Sequence, residues 1–226
     1  MPEVAANNAD PAMAGEIVDL MFAISCRMLP VDHGWALSEA VAAVLPWFAE
    51  EPAAGLHPVH GAASGSGWNR PEGAGAMLQV SRRARLGLRL PRRRLEAAGA
   101  LLGCTLQLED CSLQVNAVSV RPLSRITTQY SREVVLGDGD DEAGFLAAAT
   151  LALSGMGIVP RTVLCGRVTP VRAEGRTLRA RSLMLAGMTP AQAIELQRQG
   201  LGAGRRIGCG LFVPHKSIGD LSARPD

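Results

Sequence analysis

One order of predicted elements, strand, helix, hairpin, helix and strand, occurs twice along this chain of 226 residues. In the first half, residues 17–24 are rich in strand-forming side chains, and apolar side chains recur at helical spacing over residues 35–48. Residues 126–136 and 141–156 show the same two patterns at the start of the second half. Because the repeated order is the βαββαβ plan, the sequence predicts an α+β protein of tandem ferredoxin-like domains, each with a four-stranded sheet.

The remaining elements of the first half are bounded by turn-forming residues. The stretch over residues 52–75 is rich in glycine and proline and is predicted to be a long loop, with room for a short strand within it. A strand over residues 77–90, a short helix over 91–103 and a pair of strands within 105–120 follow it. Asp32 stands just before the first helix as a possible cap.

The second half contains a hairpin over residues 163–185 and a helix over 190–199. Thr189 and Gln192 fit a capping box at the start of this helix, and Gly200 is placed to end it. We therefore expect four segments: an N-terminal tail, two ferredoxin-like domains and a C-terminal tail, over residues 1–14, 15–123, 124–217 and 218–226.

Several classes of protein are disfavoured by what the sequence lacks. No apolar run approaches the roughly 20 residues that cross a bilayer, and the start has no secretory pattern, so we expect a cytoplasmic protein without a membrane partner. The five cysteines form no CxxC pair, which disfavours a zinc site and a disulfide framework. The glycines of residues 200–210 follow a helix and precede a strand, which is the reverse of a dinucleotide site. We expect neither a metal nor a cofactor.

Basic residues are concentrated between Glu72 and Glu96, where the sequence has no acidic residue. The chain has a net charge of only +2, and a GC-rich genome can explain part of its arginine excess but not this clustering. Side chains alternate along a strand, so the apolar residues of the 84–90 stretch face the core and an arginine row faces outward. We expect the row and the helix start after it to follow the phosphates of a polyanion, through Arg83, Arg85, Arg89, Arg92, Arg93 and Arg94.

The segment GLGAGRRIGCGLFVPHK begins at Gly200 and combines glycine with a central pair of arginines. Glycine permits left-handed backbone or the close approach of another molecule. Arginine can bond phosphate in a bidentate way, and backbone amides can cradle the same anion. We predict a flexible or close-approach loop that contacts the phosphates of the same polyanion through Gly202, Gly204, Arg205, Arg206, Gly208, Gly210, His215 and Lys216.

The GRRIGCG core and the closing FVPHK resemble the C-terminal signature of the CRISPR-associated endoribonucleases that process repeat RNA, members of the RAMP superfamily. The segments LPVDHGWAL, GLHPVHG and SRRARLGLRLP resemble the variant of Myxococcus-type CRISPR systems. The resemblance implies that the polyanion contacted by these arginines and by the glycine-rich segment is RNA. It further implies metal-independent cleavage of CRISPR precursor RNA within its repeats, with a 2′,3′-cyclic phosphate on one product. It also implies that the enzyme stays bound to the guide RNA and joins other subunits of a Cascade-like effector complex.

Histidine suits the proton transfers of this reaction near neutral pH. The resemblance places the catalytic histidine beside the first helix, where His33 lies, although His33 can equally help to start the helix. His57 and His60, in the long loop, are the alternative catalytic residues or structural histidines. His215 is expected to contact RNA or to pack. Tyr130 and Trp68 are candidates for base stacking or for the core.

Two other functions remain open from the sequence. The chain could bind processed guide RNA as a catalytically inactive subunit of a CRISPR effector complex. Alternatively, ferredoxin-like domains could bind a nucleotide phosphate at the glycine-rich segment, as in a nucleotide-binding enzyme or regulator. Cleavage of repeat RNA, tight binding without cleavage, or stabilisation by a nucleotide would distinguish the three functions.

Overall fold

The structure is a computed structural model that describes residues 16–60, 71, 73, 75–137 and 141–215. The two predicted tails, Trp68 and Lys216 lie outside these residues. Strands and helices are numbered in chain order. The first half contains β1 (Ile17–Ser25), β2 (Met28–Pro30), α1 (Gly34–Val44), β3 (Gly55–His57), β4 (Met77–Gln79), β5 (Arg85–Pro91), α2 (Leu95–Ala98), β6 (Thr105–Leu108) and β7 (Cys111–Pro122). Short 3-10 turns at Pro46–Phe48, Arg92–Arg94 and Gly99–Leu101 complete it.

The second half contains β8 (Gln129–Val134), α3 (Glu142–Gly155), β9 (Thr162–Ala173), β10 (Arg176–Ala186), α4 (Pro190–Gln199), a 3-10 turn at Arg205–Ile207 and β11 (Val213–Pro214). Its strands form a four-stranded antiparallel sheet in the order β11-β8-β10-β9. Numbered within the half, this order is 4-1-3-2, the order that a βαββαβ unit generates. No helix in the described part of the chain is long and apolar enough to cross a membrane.

The first sheet has the order β3-β5-β1-β7-β6 and is also antiparallel. Strands β3, β5, β1 and β7 give the same ferredoxin-like arrangement, and β6 adds an edge strand. The predicted tandem ferredoxin-like fold is therefore confirmed. We place the boundary between the two domains in the connection 123–128, and the domain limits remain a prediction.

The predicted strand over residues 77–90 is two strands in different sheets. Strand β4 pairs with β2 in a separate two-stranded sheet, and β5 belongs to the first sheet. A turn interrupts the strand because the carbonyl of Ser81 accepts from the Ala84 amide at 3.0 Å, and its hydroxyl accepts from the Arg83 amide. The second strand of the βαββαβ plan is instead β3, three residues within the predicted loop.

The predicted helix cap is present at α4 in the second half and is absent at α1 in the first half. Thr189 and Gln192 form the predicted capping box of α4, and Gly200 ends that helix with φ +71°. Asp32 does not cap α1, so that prediction is wrong. Its Oδ2 atom accepts from the backbone amide of Arg172 in β9 at 2.7 Å, and His33 precedes the helix without a side-chain cap.

Each half has its own apolar core, and a third cluster lies where the halves meet. The first core packs the inner face of β1 and β5 against α1. The second packs β8 and β10 against α3 and α4. The third joins Val135 and Val171 of the second half to Ile207 and Cys209 of the glycine-rich segment, with Trp35 of α1 packed against it. The glycine-rich segment is therefore a structural part of the contact between the halves.

Candidate functional site

The glycine-rich loop, residues 200–210, is fixed by backbone hydrogen bonds. The amide of Leu201 donates to the Gly210 carbonyl at 3.0 Å, and the Gly210 amide donates to Glu133 in β8. Gly208 has φ +103°, and a Cβ atom there would lie 2.2 Å from Cγ of Pro58. Another group therefore approaches the loop glycine closely, as predicted, but that group is the Pro58 ring of the protein itself.

This packing corrects two of the predicted RNA contacts. Gly208 and Gly210 are buried, so the prediction that they contact RNA is wrong. Gly202 is exposed and Gly204 is half-buried, and their predicted contact with RNA remains a proposal. The loop also contacts the start of α1, because a Cβ atom at Gly34 would lie 2.3 Å from the carbonyl oxygen of Ile207.

His33 is buried, with 2% of its surface exposed. Its Nδ1 atom lies 2.8 Å from the carbonyl oxygen of Pro30, and the Val59 amide donates to Nε2 at 3.0 Å. The two contacts require the tautomer in which Nδ1 donates and Nε2 accepts. Both ring nitrogens are thus occupied by backbone, which supports a structural role for His33, while its catalytic role stays a prediction.

We expect His33→Ala to lower the free energy of unfolding by about 2–4 kcal/mol, because a buried amide loses its acceptor and a cavity forms. Urea denaturation followed by tryptophan fluorescence measures the change. The folded fraction of His33→Ala should still cleave any RNA that the wild type cleaves. A stable variant without cleavage would return His33 to a catalytic role.

His57 lies on β3, and its ring packs over Gly87 of the neighbouring strand β5. A Cβ atom at Gly87 would lie 3.0 Å from the His57 Cβ and Cδ2 atoms, so the glycine provides room for the ring. The Nε2 atom lies 3.1 Å from Oδ1 of Asp19, and the side chain is 14% exposed. Among the described residues, no hydrogen bond involves Nδ1.

Arg89 is fully buried, so the predicted outward arginine row is wrong at this residue. Its Nε and Nη2 atoms donate to the two carboxylate oxygens of Asp19 at 2.7 and 2.9 Å. Its Nη1 atom donates to the carbonyls of Gln197 and Phe212 at 3.0 and 2.9 Å. The outer face of β5 is therefore covered at this point by the second half of the chain.

Asp19, Arg89 and His57 form a cluster of ionisable side chains, in which Arg89 is fully buried and the other two are half-buried, and the charge of Arg205 also affects the pKa of His57. Burial raises the pKa of Asp19, but hydrogen bonds from Arg89 and His57 outweigh it and hold the pKa well below the ordinary value. Burial lowers the pKa of His57, and this effect outweighs the hydrogen bond with Asp19. At neutral pH, Asp19 is therefore ionised and His57 is neutral.

Acid should weaken the folded state through this cluster. The pKa of His57 in the folded protein lies below its value of 6.5 in the unfolded chain. The shift therefore contributes fully to the free energy of unfolding above pH 6.5, and this contribution is lost as the pH falls below that value. Asp19 adds a second loss only below about pH 4. Urea denaturation at pH 7 and pH 5 should show a larger loss of stability in the wild type than in His57→Gln. Equal losses would contradict the direction of the His57 shift.

Arg205 and Arg206 lie on the 3-10 turn of the glycine-rich loop and occupy different environments. The Arg205 side chain passes over Gly55, two residues before His57, and its Nη1 atom donates to the Gln199 carbonyl. Burial, with a smaller effect from Arg89, lowers the pKa of Arg205 to about 10. Its Nε and Nη2 atoms have no acceptor among the described residues. Arg206 is exposed.

Both arginines line a groove of about 850 Å³ between α1 and the loop, which also holds Arg176 and several glutamates. The other predicted RNA-contacting arginines do not form one continuous row. Arg83 is exposed, and Arg85 is half-buried and donates to the Ala84 carbonyl at 2.9 Å. Arg92 pairs with Glu16 at 2.6 Å, and Arg93 and Arg94 pair with Glu51 at 2.7 and 3.1 Å.

A second groove, of about 920 Å³, lies on the other side of the α1 start. Tyr130, Arg132 and Arg167 line it. The exposed ring of His215 meets the Tyr130 ring edge-on at 5.8 Å, and the Arg132 guanidinium lies 5.9 Å from the Tyr130 ring. His60 is exposed and lines a small cavity that shares Arg132 with this groove.

Sequence reasoning missed Asp19 as a member of the site. An acidic residue within the apolar run of β1 was the available signal, because a buried carboxylate requires a partner. In the part of the chain that the structure describes, no group of three or more His, Cys, Asp or Glu side chains is arranged to hold a metal ion.

Two ferredoxin-like sheets joined through a packed glycine-rich loop place the chain in the class of tandem ferredoxin-like proteins. A solved RAMP protein that binds different RNA substrates has this fold, with a TM-score of 0.57 and 11% identity over 88% of this chain and 100% of that chain. The family model described as Cas6 Crispr matches residues 18–217. The chain belongs to the Cas6 family.

Two further similarities agree with this assignment. The CRISPR-associated endonuclease Cas6 of Myxococcus xanthus is 30% identical over 197 residues, which are 87% of this chain and 81% of that protein. A solved CRISPR-associated protein Cas6 has the same fold with a TM-score of 0.61, at 10% identity over 89% of this chain and 100% of that chain.

Proposed function

We propose that this protein is an endoribonuclease that cleaves CRISPR precursor RNA within its repeats, without a metal ion, and remains bound to the guide RNA. The observation that carries the proposal is the His57 ring, oriented by Asp19 and placed beside Arg205 of the glycine-rich loop. Membership of the Cas6 family and the similarity to the Myxococcus endonuclease support the substrate class.

His57 has the properties of a general base. Its Nε2–H group donates to the Asp19 carboxylate, which leaves the lone pair of Nδ1 for a proton. The lowered pKa keeps the ring neutral at pH 7, and Asp19 stabilises the imidazolium that forms after proton transfer. A carboxylate that orients a histidine serves the same purpose in other hydrolytic enzymes.

In the proposed reaction, Nδ1 of His57 takes the proton of the 2′-hydroxyl beside the scissile phosphate. The 2′ oxygen then bonds to phosphorus, and the bond from phosphorus to the 5′ oxygen breaks. One product ends in a 2′,3′-cyclic phosphate and the other in a 5′-hydroxyl, whose proton comes from water. The charge of Arg205 and the exposed guanidinium of Arg206 would stabilise the negative charge that develops on the phosphate.

The two grooves would hold the RNA on either side of the α1 start. Arg206 and Arg176 supply cations in the groove beside the loop. In the other groove, Tyr130 offers a ring for base stacking, extended by the exposed His215 ring that meets it, and Arg167 is exposed for a phosphate. Arg83, Arg85 and the three arginines of residues 92–94 would position more distant parts of the RNA or contact other subunits of a Cascade-like complex. Phosphate contacts position RNA without reading its sequence.

Cleavage of a synthetic CRISPR repeat in buffer with EDTA tests the proposal. We expect a single cut, with a cyclic phosphate on one fragment and a 5′-hydroxyl on the other, and product that stays bound in a mobility-shift assay. Tight binding without cleavage would instead indicate a guide-RNA-binding subunit. A requirement for a divalent ion would overturn the metal-independent reaction, and absence of any salt-sensitive RNA binding would overturn the whole proposal.

A further inference from the structure

Arg89 is among the largest side chains that are fully buried, and it is a charged residue in the centre of the first sheet. Burying a guanidinium is unfavourable unless hydrogen bonds replace those to water. Four donated hydrogen bonds do so here, two to the Asp19 carboxylate and two to backbone carbonyls. The acceptors lie on both halves of the chain, so Arg89 connects the halves.

The two carbonyl acceptors flank the glycine-rich loop. Gln197 is in the last turn of α4, just before the loop, and Phe212 lies just after it. A single nitrogen, Nη1 of Arg89, bonds both of them. The two ends of the segment that presents Arg205 and Arg206 are therefore held together from the first sheet.

The opposite side of the same guanidinium holds Asp19, which in turn bonds His57. The planar fork of arginine allows this arrangement because its nitrogen atoms point in fixed directions toward separate acceptors. Lysine keeps the charge but has a single nitrogen at the end of a flexible chain, so it cannot bond the carboxylate in a bidentate way and both carbonyls as well.

We propose that Arg89 is a positioning residue that fixes the glycine-rich loop relative to the Asp19–His57 pair. It acts through other groups and does not itself touch RNA. The inference rests on the proposed function for its effect on cleavage, but its effect on the loop can be measured without RNA. Sequence alone predicted the opposite role for this residue, an exposed contact to phosphate.

Hydrogen exchange followed by mass spectrometry tests the structural part. In the wild type, the amides of Leu201, Ala203 and Gly210 should be protected, since each donates to a backbone carbonyl. In Arg89→Lys, exchange in residues 200–210 should accelerate about tenfold or more, while exchange in β9 and β10 stays as in the wild type. Arg181→Lys is the matched control, because Arg181 is also a buried arginine that donates to a carbonyl, that of Gly166 within its own sheet.

Unprotected loop amides in the wild type, or equal loop exchange in the two lysine variants, would overturn the inference, and the wild-type outcome can overturn it even if Arg89→Lys does not fold. For cleavage, we expect Arg89→Lys to be slower by about 10²-fold, because misplacement of catalytic groups by about 1 Å has effects of this size. Asp19→Asn should shift the pH profile of cleavage, because it removes the carboxylate that bonds His57. If the wild type does not cleave RNA, the proposed function fails, and the exchange results still decide the role of Arg89.

Discussion

His57→Ala should slow single-turnover cleavage of repeat RNA by about 10²- to 10⁴-fold, the contribution of a general base. RNA affinity should change little, because His57 is mostly covered and the exposed arginines remain in place. The acid limb of the wild-type rate profile should lie below pH 6.5, since burial lowers the pKa of His57 from that value. Rates measured with enzyme in excess avoid interference from slow product release.

Two other histidine variants control this experiment. His33→Ala should lose stability while retaining cleavage, because both nitrogens of His33 bond backbone. His60→Ala should retain cleavage within a small factor, because His60 lines the small cavity beside the second groove, whereas the ring that Asp19 orients is that of His57. If His57→Ala cleaves at the wild-type rate and His60→Ala does not, the reacting phosphate lies at the second groove and the proposed base is wrong.

Gly208→Ala should lower the free energy of unfolding by about 2–5 kcal/mol. Two effects destabilise this variant. The backbone at residue 208 has φ +103°, which alanine adopts only with strain, and the added Cβ atom would lie 2.2 Å from the Pro58 ring. The clash lies between the glycine-rich loop and the segment after β3, so the contact between the halves should weaken first. Urea denaturation by fluorescence and by circular dichroism measures the loss.

Gly155→Ala is the matched control for this substitution. Gly155 is the last residue of α3, and no atom lies within 4 Å of an added Cβ atom. Alanine is the better helix residue, so this variant should be as stable as the wild type or more stable by up to about 1 kcal/mol. A loss in Gly208→Ala no larger than in Gly155→Ala would show that the loop yields to the added methyl group.

The fold could be predicted from sequence mainly where local signals were strong. The capping box at Thr189, the apolar spacing of α3 and the long hairpin of β9 and β10 are each defined by neighbouring residues. The sequence allowed a short strand within residues 52–75, and β3 is that strand, but three residues are too short for a periodic pattern to give its bounds, and its place in the sheet is set by pairing with β5.

The site was harder to predict because its contacts are distant in sequence. Alternation along β5 placed Arg89 on the face opposite the first core, but nothing in that pattern shows that Gln197 and Phe212 cover the face. In the same way, the position of His33 beside a helix does not show that the Val59 amide will occupy its ring. The glycines of residues 200–210 correctly predicted that another group packs closely against the loop. Only the structure identifies that group, which at Gly208 is the Pro58 ring.

The order of synthesis on the ribosome gives the Arg89 contacts a further consequence. Phe212 follows Arg89 by 123 residues, so the buried guanidinium lacks one of its acceptors until almost the whole described chain has been translated. Until then, the face of β5 that carries Arg89 must remain hydrated in the nascent first domain. The Arg89 hydrogen bonds to the second half should therefore form late in biogenesis, when the final strand has been synthesised.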